Sequence, residues 1–98
     1  MSRLRLSPSG KFIESTQAIS AFVFGSIGPG VSNFVVPVPG AFVGQLAFWA
    51  PLVPLPTGLV AAQAVVTAPG QVTIEVNNTT AGAIVVPATD IAVQLTTI

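Results

Sequence analysis

Very few side chains in this chain could do chemistry. Histidine, cysteine and tyrosine are absent, which removes the commonest general base, the thiol nucleophile and the soft metal ligands. Glu75 and Asp90 stand on neighbouring apolar-alternating stretches, and a facing pair of carboxylates can hydrolyse a glycoside. Each also sits where an exposed strand face or strand start would place a solvated acid, and that is the reading adopted here. Lys11 with Ser7 or Ser9 has the composition of a Ser–Lys pair. In a segment with no packing period it lacks the rigid support that such catalysis needs. "GSIGPG" has no following Lys-Ser/Thr and no helix behind it, so it is a turn and not a phosphate loop. Phe48 and Trp49, followed by Pro51, have the make-up of an aromatic platform for sugar or peptide. The reading preferred is that Trp49 caps the core or sits at a subunit interface. No catalytic residue, metal site or cofactor is expected.

The elements that would carry these residues are strands. From Phe12 onward, short apolar runs are separated by turn residues, the pattern of an all-β sandwich or barrel. "KFIESTQ" is a weak strand, and "SAFVFGSI" is a stronger one that stops at "GPG". "VSNFVVPV" puts Phe34, Val36 and Val38 on one face, and Pro37 marks an edge or a strand end. "AFVGQLAFWA" reads as a strand with Phe42, Leu46 and Phe48 on one side, Val43 and Trp49 on the other, both faces occupied. "PLVPLPTG" is a semi-rigid connection. "LVAAQAVVTA" reads as a strand despite its alanines, because it is short and bounded by Gly58 and Pro69-Gly70. Val72, Ile74 and Val76 point inward from the next strand; Gln71, Thr73, Glu75 and Asn77 point out. After a turn at "NNTTAG", "AIVVP" is a short buried segment, and Ile91, Val93 and Leu95 share a face of the last strand. The expectation is a small antiparallel β-sandwich or jelly-roll-like barrel of seven or eight strands over residues 12–98, preceded by an extended N-terminal arm over 1–11.

Composition narrows the class further. The chain has 98 residues, one domain's worth, of which 51% are hydrophobic and 6% charged, with net charge zero; about 25% charged is usual. Between Glu14 and Glu75 no Asp, Glu, Lys, Arg or His occurs. A dispersed monomer normally needs such groups, so this stretch is expected to be covered by its own core or by neighbours, as in obligate assemblies. Two-fold or three-fold closure suits identical copies. Prolines at 37, 39, 51, 54 and 56 interrupt the most apolar region too often for a membrane helix. The N-terminus has no uninterrupted apolar stretch of the secretory kind. Three cations in an arm make no basic field for nucleic acid. The sequons at Asn77 and Asn78 read as a polar turn.

The stretch from "VPVPGAFVGQ" through "LPTGLVAAQAVVTAPGQVTIEVNNTTAGAI" resembles a family of small capsid decoration (cement) or head-fibre proteins of tailed bacteriophages. The positions that carry the resemblance are Pro39, Gly40, Ala41, Gly44, Gly58, Leu59, Ala64, Val65, Gly70, Val72, Thr73, Asn78, Thr79 and Gly82. Gln45 stands where that pattern has an acidic residue. The resemblance implies a β-sandwich that forms a homotrimer on the outer capsid surface of the virion, at a local three-fold between major capsid proteins, after synthesis in the bacterial cytoplasm. It implies a capsid-contacting arm carrying Arg3, Leu4, Arg5 and Leu6, and an oligomer or capsid interface formed by Phe42, Phe48, Trp49, Pro51 and Pro54. The alternative is a receptor- or glycan-binding module of a tail or fibre. Neither reading involves an enzyme, a membrane or nucleic acid.

Overall fold

The computed structural model describes residues 14–97. The arm expected over residues 1–11, with Arg3, Leu4, Arg5 and Leu6, lies outside them. The described residues form eight strands: β1 Glu14–Phe22, β2 Gly25–Ile27, β3 Gly30–Pro37, β4 Leu46–Pro51, β5 Leu59–Ala68, β6 Gln71–Asn78, β7 Ile84–Val86 and β8 Thr89–Thr96. Among these residues no helix is long and apolar enough to cross a membrane. Six strands make one curled antiparallel sheet in the order β1-β8-β4-β5-β6-β3, and β2 pairs with β7 in a small ribbon. The expectation of an all-β fold of seven or eight antiparallel strands is met, as a curled six-stranded sheet with a two-stranded ribbon.

Period-2 patterning explains which face is buried. Val72, Ile74 and Val76 of β6 and Ile91, Val93 and Leu95 of β8 are all essentially inaccessible, as are Val36 and Val38 at the end of β3. Each Val-Val doublet is split by the pleat: Val36, Val66 and Val86 are buried, while their predecessors Val35, Val65 and Val85 are 56%, 46% and 74% exposed. Val-Val in a strand with one dry face must send one valine to the other side.

The strand expected over "SAFVFGSI" is in fact two. β1 carries a bulge between Ile19 and Phe22, where Ala21 takes φ 53° and donates its N–H to Asp90 Oδ1 at 2.8 Å. The chain then crosses at Val23 and Phe24 before β2 begins at Gly25. "AFVGQLAFWA" also differs from expectation. Residues 41–45 form a turn, held by the Phe42 N–H donating to Gln45 Oε1 at 2.9 Å, and β4 starts only at Leu46. Phe42 therefore lies on a loop, off the strand that carries Phe48. Only one face of β4 is covered by the chain's own core. Trp49 is buried there, whereas Leu46 and Phe48 are 44% and 56% exposed.

The curl brings the two edge strands into contact through inward side chains. Gln17 of β1 donates from Nε2 to the Pro39 carbonyl just beyond β3 (2.8 Å). Phe24 packs edge-on against Phe22 of β1 (ring centroids 4.9 Å) and Phe34 of β3 (5.0 Å), and lies 6.1 Å from Trp49 of β4.

Two turns lock the opposite end. Asn78, 2% exposed, donates from Nδ2 to the carbonyls of Ile27 and Gly82 (both 2.9 Å). Its Oδ1 accepts the Thr80 N–H (2.9 Å) and lies 2.7 Å from Thr80 Oγ1. That is the full capacity of a side-chain amide. The second sequon asparagine is thus a buried hub; the polar turn expected at "NNTTAG" is this one. Gly58, at φ +101°, sits against it, and a Cβ there would meet Thr80 Cγ2 at 2.5 Å. Thr80 cannot swing aside without giving up its bonds.

Gly58→Ala is expected to cost about 2 kcal/mol or more through the left-handed backbone and the collision. Asn78→Ala should cost about 2 to 3 kcal/mol by leaving buried carbonyls unpaired. Urea unfolding measures both, and a loss below about 0.5 kcal/mol for either, the range of an ordinary surface change, would contradict this role for the two turns.

Candidate interaction surface

The two carboxylates of the apolar-alternating strands do not form a pair. β4 and β5 lie between β6, which carries Glu75, and β8, which carries Asp90, a separation of about 14 Å at ordinary strand spacing. Asp90 is occupied with the β1 bulge. Glu75 Oε2 accepts a long bond from Gln63 Nε2 (3.5 Å) on the outer face. Among the described residues no group of three His, Cys, Asp or Glu side chains could hold a metal ion.

What the sheet does build is an outer face with little charge. Strand register places Val35, Thr73, Val65, Leu46 and Thr96 in one row across β3, β6, β5, β4 and β8. A second row holds Val31, Asn77 and Val60, with both valines more than half exposed. A third runs Thr16, Gln94, Phe48 across β1, β8 and β4, beside Ala18, Ala92 and Ala50. Ala50 and Ala92 are small enough to leave an open hollow of about 160 Å³ next to Phe48, bordered also by Thr16, Trp49 and Gln94. Leu46, Phe48, Val65 and Val35 could make van der Waals contact with a partner, and Thr and Gln side chains could hydrogen bond to it. The residues named in these rows carry hydroxyl, amide and apolar side chains.

The residues expected at an interface divide accordingly. Phe48 stands on the outer face. Phe42 is 48% exposed on the 41–45 turn and Pro54 is exposed on the loop between β4 and β5, where Leu52 and Val53 are also exposed. Pro51 is half-buried at the end of β4, opposite Ile91. Trp49 faces the other way: it is 8% exposed and its Nε1–H donates to the Ala62 carbonyl at 3.0 Å. Its ring belongs to the core, one of the two places the preferred reading allowed, and not to the interface that the resemblance implies for it, because its indole is buried and hydrogen-bonded inside the curl. Val35, Val60 and Val65 were not singled out from sequence; the Val-Val doublets were the available signal for two of them.

Gln45 has a structural task where the resembling pattern has an acid. Its Nε2 donates to Thr97 Oγ1 at 3.0 Å while Oε1 holds the turn at Phe42. Several other positions that carry the resemblance are also turn residues. The Gly70 N–H donates to the Ala41 carbonyl and the Val38 N–H to that of Gly70 (both 2.8 Å); Thr79 donates from N and Oγ1 to the Gly58 carbonyl. Compared with known protein families, with curated protein sequences and with solved structures, the chain has no significant match.

Phe48→Ala is expected to change stability by no more than about 0.5 kcal/mol, because the ring is mostly in solvent. Its neighbour Trp49→Ala should lose about 3 to 5 kcal/mol. Equal losses in chemical denaturation would contradict the assignment of the two rings to opposite faces.

Proposed function

We propose that this chain is a structural virion protein that binds the outer surface of a phage head as a homo-oligomer and stabilises the assembled shell. The observation that carries this reading is the outer sheet face, where Val31, Val35, Leu46, Phe48, Val60 and Val65 are each between 44% and 59% exposed. Exposed apolar area on this scale favours association. Threonine, glutamine and asparagine between these residues keep the face wettable, with little charge on it besides Glu75. The resemblance of residues 36–84 to decoration proteins supplies the shell as the partner.

The mechanism is linkage and needs no reaction. A protein that binds the assembled lattice and not the free subunit stabilises the lattice by RT ln(1 + [L]/Kd), about 4 kcal/mol when free protein is a thousandfold above Kd. Contacts to several capsid subunits at once add avidity. The loops carrying Phe42 and Leu52 to Pro54 extend the available apolar surface beyond the sheet.

A second reading, a receptor- or glycan-binding module of a tail or fibre, draws on the hollow beside Phe48, where a sugar ring could stack. The two readings differ in copy number and in what loss of the protein does. Purified particles should carry many copies per head, and particles made without the protein should release their DNA at lower temperature. Equal melting of both particle types would reject stabilisation of the shell. A few copies per particle, together with glycan binding abolished by Phe48→Ala, would favour the second reading.

A further inference from the structure

β3 ends the sheet order, so one side of its backbone pairs with β6 and the other with no strand among the described residues. The Val38 N–H donates to the Gly70 carbonyl at 2.8 Å, on the β6 side, and the β3–β6 register runs without a shift from Gly30 to Pro37. Backbone groups alternate direction along a strand. Gly30, Ser32, Phe34 and Val36 therefore turn their N–H and C=O toward β6, and Val31, Asn33, Val35 and Pro37 turn theirs to the open side. Proline has no N–H, so the open ladder has three complete rungs centred on Asn33.

That edge is self-complementary. About a two-fold axis through Asn33, Asn33 faces its own copy and Val31 faces Val35 of the other chain. Every rung exchanges two hydrogen bonds, six in all. The side chains that meet on the outer face are Val with Val and Asn with Asn. β3, "GVSNFVVP", has no ionisable side chain; Glu75, opposite Asn33 on β6, lies one strand back, so two copies approach without charges on the edge itself of the kind that ordinarily guard it. Sliding the pairing by two residues toward Pro37 keeps six bonds but leaves two of its four rungs incomplete, because proline has no N–H; sliding it the other way runs off the strand and loses bonds. The opposite edge, β1, is protected by its bulge and by Ala21 at positive φ, devices that spoil a flat edge.

We infer that β3 is a homodimerisation edge: two copies join antiparallel at Val31, Asn33 and Val35 into a continuous twelve-stranded sheet. This deepens the self-association in the reading above by naming its surface and symmetry. It is tested on the isolated full-length chain, so failure of edge pairing leaves shell binding open, and failure of shell binding leaves edge pairing open.

The test is light scattering with size exclusion over a concentration series up to about 100 μM, as expected for a short strand-addition contact. The expected result is a mass rising to that of two chains, with the amides of Val31, Asn33 and Val35 exchanging more slowly as concentration rises. Asn33→Pro removes only an outward-facing N–H and keeps every bond to β6, and it should weaken dimerisation at least tenfold with the circular dichroism unchanged. Asn33→Glu, on the exposed face and beside Glu75 of β6, sets two like charges opposite each other at the axis with no neighbouring cation to offset them and should do the same, so the inference remains testable if the proline variant fails to fold. A wild-type chain that stays monomeric throughout overturns the inference. So does a dimer or trimer that a folded Asn33→Glu variant leaves unchanged, since another surface would then be the one that pairs.

Discussion

The packing of Phe24 holds the molecule together as a closed shape. Among the described residues the six-stranded sheet has two edges, β1 and β3, that no strand pairing joins. Phe24, on the crossing between β1 and β2, touches Phe22 from one edge, Phe34 from the other and Trp49 from the middle of the sheet. Edge-to-face aromatic pairs add about 0.5 to 1.5 kcal/mol each beyond the area they bury. The curl that makes a core from a single sheet thus depends on rings contributed by residues far apart in sequence. Gln17, reaching Pro39, fastens the other end of the same seam.

Closure by side chains on the inner face has a consequence for the outer one. All the burial available to the described chain lies inside the curl, and the pleat sends the alternate residues out. In a chain with 51% hydrophobic residues there are too few polar side chains to furnish every outward position, so Val35, Val65, Leu46 and Phe48 go there. An exterior of this kind carries little charge beyond Glu75 and Asp90 and so sets up little repulsion between identical surfaces.

Much of the fold could be read from the chain. Period-2 alternation in 71–77 and 91–96 gave the buried faces of β6 and β8, and Pro37, read as an edge or a strand end, closes the edge strand β3. The readings that failed did so where local pattern and tertiary demand diverge. "SAFVFGSI" is apolar enough for one strand, but the crossing that delivers Phe24 to the core breaks it in two. Residues 41–45 have strand propensity, yet Gln45 clamps them into a turn through a bond to Thr97 that no local window contains. The interaction surface was legible in part. Phe48 was identified, while Trp49 was set correctly on the opposite side of its strand; the row joining Val35, Val65 and Leu46 exists only through strand order. Many positions behind the family resemblance proved to be turn hinges, which explains why they speak to architecture more than to partners.

Replacing Phe24 by alanine tests the closure directly, by urea unfolding combined with amide exchange. The expected loss is about 3 to 5 kcal/mol, with exchange accelerated in both β1 and β3 although neither strand is altered. A loss below about 1 kcal/mol, or exchange confined to the residues next to position 24, would show that the sheet keeps its curl without the aromatic seam, and the account would fail.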